Sequence, residues 1–369
     1  IDMRRLATAT LFLGLITLPY ALPAQEVDAP VRYDEDYLSA DFHRSRRAAV
    51  VAQLPGNSLV VLFGAPMRNR SNDMDYEYRQ ASDFLYLTGS EEPGSALILA
   101  PGGLEVDGER VHEILFVPPR DPAREVWDGR RFGAERAMQR LGVELALDAT
   151  RFDEILVPLL QNGQHRVYHL GFPDAVPEGS ALHDQLAAFM DNVDPAALPG
   201  AGTGSAAPLR GVLDGLRAIK SDEEMTALRR AIDITTEAHR EVMQQVQAGW
   251  AEYEIEALVE YTFKRNGSEQ PGFNSIVGSG ENSTILHYMT NRRGTEPGDV
   301  VVIDIGAEVH GYSADVTRTI PVSGTYSPEQ RAIYELVYRA QEAGIRATRA
   351  GNPFFASNRE ASRVLAEGL

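Results

Sequence analysis

No cysteine occurs anywhere in the 369 residues. That absence excludes disulfides, thiol catalysis and a lipid-modified cysteine, so a secreted form would have to be stable without covalent staples. Positive charge is also scarce. The 35 lysines and arginines face 53 aspartates and glutamates, a formal charge of −18, which argues against a phosphate-backbone partner and makes a cation the easier one to imagine. There is no G-x-S-x-G, no phosphate loop and no complete G-x-G-x-x-G, so nucleophile-elbow hydrolases and nucleotide enzymes lose their main signals. His112-Glu113 opens like a zinc-protease helix, but Phe116 stands where the second histidine belongs and the flanking residues read as a strand.

Long apolar runs are absent apart from one near the start. Arg4-Arg5 precedes an apolar stretch from Leu6 to Leu18, which Pro19 interrupts and small residues follow. The pattern predicts a secretory signal peptide over residues 1–25, cleaved after Ala24, and is too short for a comfortable membrane span. A periplasmic or secreted protein with no membrane association after cleavage is the expectation; a buried N-terminal helix is the alternative.

From about residue 46 to 190, β-branched runs such as "NSLVVLFGA", "SALILAPGG" and "HEILFVPP" end in glycine or proline and alternate with helical stretches. An α/β domain over 26–195 is expected. Residues 194–208 are rich in Pro, Gly, Ala and Ser without periodicity, which places a linker at 196–212. Beyond it, Ser221 and Glu224 form a capping box ahead of a helical stripe of Met225, Leu228, Ile232, Thr235, His239, Val242 and Val246. On such a stripe His239 is expected to be a packed, hydrogen-bonded core residue. A second helix is predicted over 252–265, ended by Asn266-Gly267. Strands are predicted in "FNSIVGSGENSTILHY", "DVVVIDIGAEV" and "ADVTRTIPVSG", giving an α+β half over 213–369.

The most suggestive chemistry lies between Asp304 and Asp315. If the strands turn at His310-Gly311, Asp304 lies opposite Thr317 and Asp315 opposite Gly306, so both carboxylates project from one side. Two carboxylates on one apolar-flanked face repel unless something positive lies between them. A divalent metal resolves the conflict, and an oxygen-rich site favours a hard ion such as Mn²⁺. The competing reading sends one aspartate to solvent and the other to a turn cap. For His287 the competing reading is a strand-end histidine bonded to backbone.

Resemblance weighs on the choice. "ILHY" at 285–288, "DIGAEVHGYSADVTRTIPVSG" at 304–324 and "LRAIKSDEEMTALRRA" at 216–231 resemble the catalytic half of the Xaa-Pro aminopeptidases, in the pita-bread metallopeptidase family. "RNRSNDMDYEYRQASDFLYLTG" at 68–89 and "EVWDGRRFG" at 125–133 resemble that family's N-terminal domain. The resemblance implies a pita-bread (creatinase/aminopeptidase-like) catalytic domain, two Mn²⁺ ions, Asp304 on one of them, Asp315 bridging both, and His287 near substrate and hydroxide. It implies peptide substrates with proline second, which lose their first residue. A prolidase-like dipeptidase and a non-catalytic binding protein are the alternatives. Trp127, in the 125–133 segment, implies homo-oligomers of a full-length protein. The family completes its metal site with a histidine and two glutamates downstream of the second aspartate. Here 54 residues follow Asp315, none is histidine, and Glu329, Glu335, Glu342, Glu360 and Glu367 have no matching strand context. The expectation is therefore an incomplete pita-bread domain, a fragment with doubtful activity of its own.

Overall fold

The computed structural model describes residues 37–170, 181–192 and 206–369. The expected signal peptide lies outside the described residues, as do positions 196–205 of the expected linker. The first half runs α1 (Ala40–Ala52), β1 (Ser58–Phe63), β2 (Asn69–Ser71), β3 (Met74–Asp75), α2 (Ser82–Thr88), β4 (Ala96–Val106) and β5 (Glu109–Val117). It continues with α3 (Pro122–Asp128), α4 (Gly133–Leu141), β6 (Leu145–Asp148), α5 (Phe152–Gln161), β7 (Arg166–Tyr168), α6 (Ala181–Asn192) and α7 (Ala206–Ala218). The order β6-β5-β4-β1-β7 makes a mixed sheet, antiparallel at its centre and parallel at both edges.

Both faces of that sheet are covered, which is why β1 is apolar at nearly every position instead of alternating. Leu59, Val61 and Phe63 pack with Phe116, Phe152 and Phe189 on one side. Val60 and Leu62 pack with Phe42, Phe84 and Leu87 on the other. Leu209 and Leu213 of α7 join the second cluster, so the helix that begins inside the interval read as a linker is a structural part of the first half.

On that second face Arg47 is fully buried. Its guanidinium donates to both carboxylate oxygens of Glu113, at 2.7 and 3.0 Å, and to the carbonyls of Leu87 and Gly142, each at 2.8 Å. Glu113, on strand β5, is thus a partner for a buried cation. His43 is nearby and 5% exposed, its Nδ1 bonded to the Tyr86 carbonyl at 3.0 Å. Burial depresses its pKa from 6.5 to about 4. Between those values the unfolded imidazole takes a proton that the folded one refuses. His43 therefore contributes stability that is complete above pH 6.5 and is lost as pH falls towards 4, by about 3 kcal/mol at most. Urea unfolding at pH 7 and at pH 4.5, in wild type and in His43→Gln, should show a flatter pH dependence in the variant. Comparing the two proteins cancels the carboxylates that titrate in the same window.

The second half runs α8 (Asp222–Gln245), α9 (Glu252–Arg265), β8 (Gln270–Pro271), β9 (Ile276–Ser279), β10 (Val300–Ile305), β11 (Ala307–Val309), β12 (Tyr312–Ser313), β13 (Val316–Pro321), α10 (Pro328–Ala347) and α11 (Ala356–Gly368). Its core unites Ala231, Ile234, Ala238 and Val242 of α8, Ile255, Val259 and Phe263 of α9, and Val277, Val301, Ile303 and Ile305 from the strands. The Ser221–Glu224 capping box is present, and α9 spans the predicted residues. Thr235, His239 and Val242 of the predicted stripe on α8 are buried, but the rest of the buried face is shifted from it. Ala227, Ala231 and Ala238 lie inward and Ile232 is 46% exposed, because small residues let the helix approach the sheet closely. The strand expected through "ENSTILHY" is also corrected. Extended pairing stops at Ser279, a 3-10 turn covers Gly280–Thr284, and residues 285–293 form a loop.

Residues Leu38–Leu369 form one compact unit, yet the two halves keep separate apolar cores and meet through polar contacts. Arg79 donates to Glu308 of β11 at 2.9 and 2.8 Å, and Gln270 and Ser313 donate to the same carboxylate at 3.0 and 2.9 Å. Tyr312 donates to Glu224 at 3.0 Å, and Ser39 donates through both backbone and hydroxyl to Glu223. On α10, Ile333, Val337, Tyr338 and Ile345 are each more than half exposed, beside a groove of about 650 Å³ shared with β13. Among the described residues no helix is long and apolar enough to cross a membrane.

Candidate metal centre

Strand β10 alternates in its burial. Val301, Ile303 and Ile305 point into the core, which leaves Asp304 on the opposite face with Val300 and Val302. The return strand pairs Asp304 with Thr317 and Ile305 with Val316, as the turn at His310-Gly311 predicts. That turn works because both of its residues have positive φ, 51° and 80°, the conformation a two-residue hairpin of the favoured hand requires. Between β10 and β11 the ladder breaks at Gly306. A Cβ there would collide with the Ala314 carbonyl, and the Ala307 N–H bonds to the hydroxyl of Thr235 on α8 at 2.9 Å.

The Thr317 hydroxyl donates to Asp304 Oδ1 at 2.7 Å. Partial burial, the Asp304 charge and a hydrogen bond shared with Asp304 raise the Asp315 carboxyl above its usual range. The two carboxyl groups thus stand within hydrogen-bonding reach, a like-charged pair that a bound proton or a cation relieves. Behind them His239 is buried, with Nε2 bonded to the carbonyl of Val316 at 2.9 Å, the residue between Asp315 and Thr317. Burial holds its pKa below the ordinary value, against the pull of that carbonyl and of Asp304. His239 is the packed, hydrogen-bonded residue expected, and it pins the start of β13, next to Asp315. No signal in the sequence links it to Val316, 77 positions away.

His287 sits on the exposed loop after the 3-10 turn, and among the described residues no hydrogen bond or ion pair joins it to either aspartate. The loop nevertheless returns to the Asp304 end of β10. Asn291 accepts from the Val277 N–H at 3.2 Å and donates to the Ser275 carbonyl at 2.9 Å, and Ile276 pairs with Asp304. Among the described residues no group of three or more His, Cys, Asp or Glu could hold a metal. Glu329, Glu335 and Glu342 lie on α10, and Glu360 and Glu367 on α11.

A paired-carboxylate hairpin under two helices, joined to a separate α/β half, is the architecture of a pita-bread metallopeptidase with an N-terminal domain. Two family models divide the chain accordingly: "Aminopeptidase P, N-terminal domain" matches residues 43–168 and "Metallopeptidase family M24" matches 226–369. The Xaa-Pro aminopeptidase of Escherichia coli K12 is 38% identical over 333 residues, covering 89% of this chain and 72% of the relative. That of Haemophilus influenzae is also 38% identical, over 326 residues, covering 88% and 70%. Among solved structures, a glutamate-to-alanine variant of E. coli aminopeptidase P in complex with substrate superposes with a TM-score of 0.77 at 36% identity, covering 90% of this chain and 74% of that one. Pseudomonas aeruginosa aminopeptidase PepP gives 0.77 at 34%, covering 90% and 73%. This chain belongs to the Xaa-Pro aminopeptidase family of M24 metallopeptidases. That membership favours a metal-dependent exopeptidase over a prolidase-like dipeptidase or a non-catalytic binder.

Proposed function

We propose that this chain carries the first part of the dinuclear site of an exported, Mn²⁺-dependent aminopeptidase that removes the first residue from peptides with proline second. The observation that carries the reading is the carboxylate pair formed by Asp304 of β10 and Asp315 just before β13, with Asp304 oriented by Thr317 and the start of β13 fixed by His239. Asp304 would hold one ion and Asp315 would bridge two, and the carboxylate oxygens these residues offer suit a hard ion. When bound, such ions lower the pKa of a water and polarise the scissile carbonyl. The protein's own residues do the remaining work: Thr317 keeps one lone pair of Asp304 occupied and so directs the other oxygen outward. His287 would offer a ring nitrogen to the peptide from an exposed loop whose Asn291 is tied beside Ile276, the partner of Asp304.

The test is cleavage by the product of the encoding gene, loaded with Mn²⁺ and separately with Zn²⁺. Release of the first residue from a tetrapeptide with proline second, and none with alanine second, is the expected result, with faster turnover in Mn²⁺. Preference for Xaa-Pro dipeptides would turn the reading to a prolidase, and cleavage of neither substrate to a binding protein. Trp127 on α3 is 88% exposed, which suits a side chain that meets a neighbouring subunit rather than its own core. Oligomers are expected for the full gene product, and a monomer in sedimentation velocity at micromolar concentration would overturn that. Export predicts its recovery from the periplasm or medium.

A further inference from the structure

The loop that carries His287 is not held by apolar burial. Ile285, Leu286 and Met289 are 52%, 88% and 56% exposed. Its anchor is a carboxylate. Glu252 at the start of α9 has no exposed surface, and all five hydrogen bonds it accepts come from residues 279–293. Its Oε1 takes the Ser279 N–H at 2.8 Å, the Ser279 hydroxyl at 2.7 Å and the Asn282 amide at 3.1 Å. Its Oε2 takes the Tyr288 hydroxyl at 2.7 Å and the Arg293 N–H at 2.9 Å. The Glu252 N–H in turn donates to the Arg293 carbonyl at 2.9 Å, so backbone and side chain grip the far end of the loop together.

The simplest alternative, that Glu252 caps its own helix, does not fit these partners. No N–H of α9 donates to it, and the free backbone N–H at the helix entrance, that of Ala251, goes to Glu254 at 2.7 Å. A buried carboxylate with all its lone pairs directed at one loop fixes that loop, because leaving any of the donors unpaired is costly. Tyr288 is the residue next to His287, so the anchor acts one position from the imidazole.

We propose that Glu252 is a positioning residue for His287: it sets, through Tyr288, where the loop presents the imidazole. The inference rests on the reading of His287 as the substrate-side histidine, but its test needs no turnover. In the 369-residue chain with ¹³C-labelled histidine, the ring resonance of His287, assigned by His287→Gln, is followed in Glu252→Gln and Tyr288→Phe. Hydrogen exchange of peptides covering 279–293 is measured on the same samples. Glu252→Gln should shift or broaden the His287 resonance and speed exchange across the loop by about tenfold or more, as loss of buried charge-assisted bonds requires, while His43 and His239 stay in place. Tyr288→Phe, which removes one donor of five, should move His287 and leave exchange at the Arg293 end slow. If Glu252→Gln unfolds the chain, Tyr288→Phe decides alone. A His287 resonance unmoved in the folded variants overturns the proposal, even where exchange rises, because Glu252 would then be structural only. Failure of the functional reading would appear separately, in the cleavage assay.

Discussion

Replacing Arg47 with methionine is expected to destabilise the protein by roughly 3–5 kcal/mol, the usual cost of removing one partner from a buried ion pair. The magnitude follows from what remains. Glu113, its side chain 12% exposed, would keep only the Glu144 N–H at 2.9 Å, the Leu87 carbonyl would lose its charged donor, and the Gly142 carbonyl would keep only Arg44 at 3.2 Å. Four elements are joined there: α1 supplies Arg47, β5 supplies Glu113, and Leu87 and Gly142 lie at the ends of α2 and α4. Urea unfolding should show the first half melting early. The double variant Arg47→Met/Glu113→Leu should recover part of the loss, since two apolar residues leave no buried charge alone. A single-variant loss below about 1 kcal/mol would show that water reaches Glu113 and that the pair is a surface bridge.

The second expected result concerns the metal. In the 369-residue chain, Mn²⁺ should bind no more tightly than roughly 10⁻⁴–10⁻³ M, because two carboxylates leave most of the coordination sphere to water. Xaa-Pro cleavage by this chain should be undetectable. Thr317 cannot add a strong ligand while its hydroxyl donates to Asp304, and no other carboxylate or imidazole stands with the pair among the described residues. Calorimetric titration with Mn²⁺ and chromatography of a peptide digest are the measurements. The apolar face of α10 should meanwhile bind a hydrophobic dye and promote self-association, as a stripe of exposed large side chains does. Micromolar affinity, or robust Mn²⁺-dependent cleavage, would refute the ligand assignment for this chain.

How far the sequence could be read depended on how local each determinant was. The hairpin was legible because His310-Gly311 names its own turn, and period-2 alternation then sets Asp304 opposite Thr317. The α8 cap was legible for the same reason, since Ser221 and Glu224 are three apart. The face of α8 was legible only at Thr235, His239 and Val242, because the pattern weighed Ile232 above the alanines that pack against the sheet. Residues 280–288 read as a strand because nothing nearby shows that Glu252, about 30 positions upstream, gathers their donors into a loop. Glu113 looked like half of an accidental motif until the fold brought Arg47 to it. For the loop and for Glu113 the missing information was a long-range polar contact, which leaves no periodic trace in the chain.

The junction through Arg79 and Glu308 bears on whether either half is a portable module. An apolar junction could be cut and resurfaced with a few polar substitutions. Here the cut would leave Glu308, 3% exposed, with only neutral donors from Gln270 and Ser313. Glu308 lies on the hairpin between Asp304 and Asp315, so the tremor would reach the carboxylate pair. Expressing the second half alone, or grafting it onto another N-terminal domain, therefore calls for an arginine in the place of Arg79. In a chimera that arginine would matter more than any matched apolar surface.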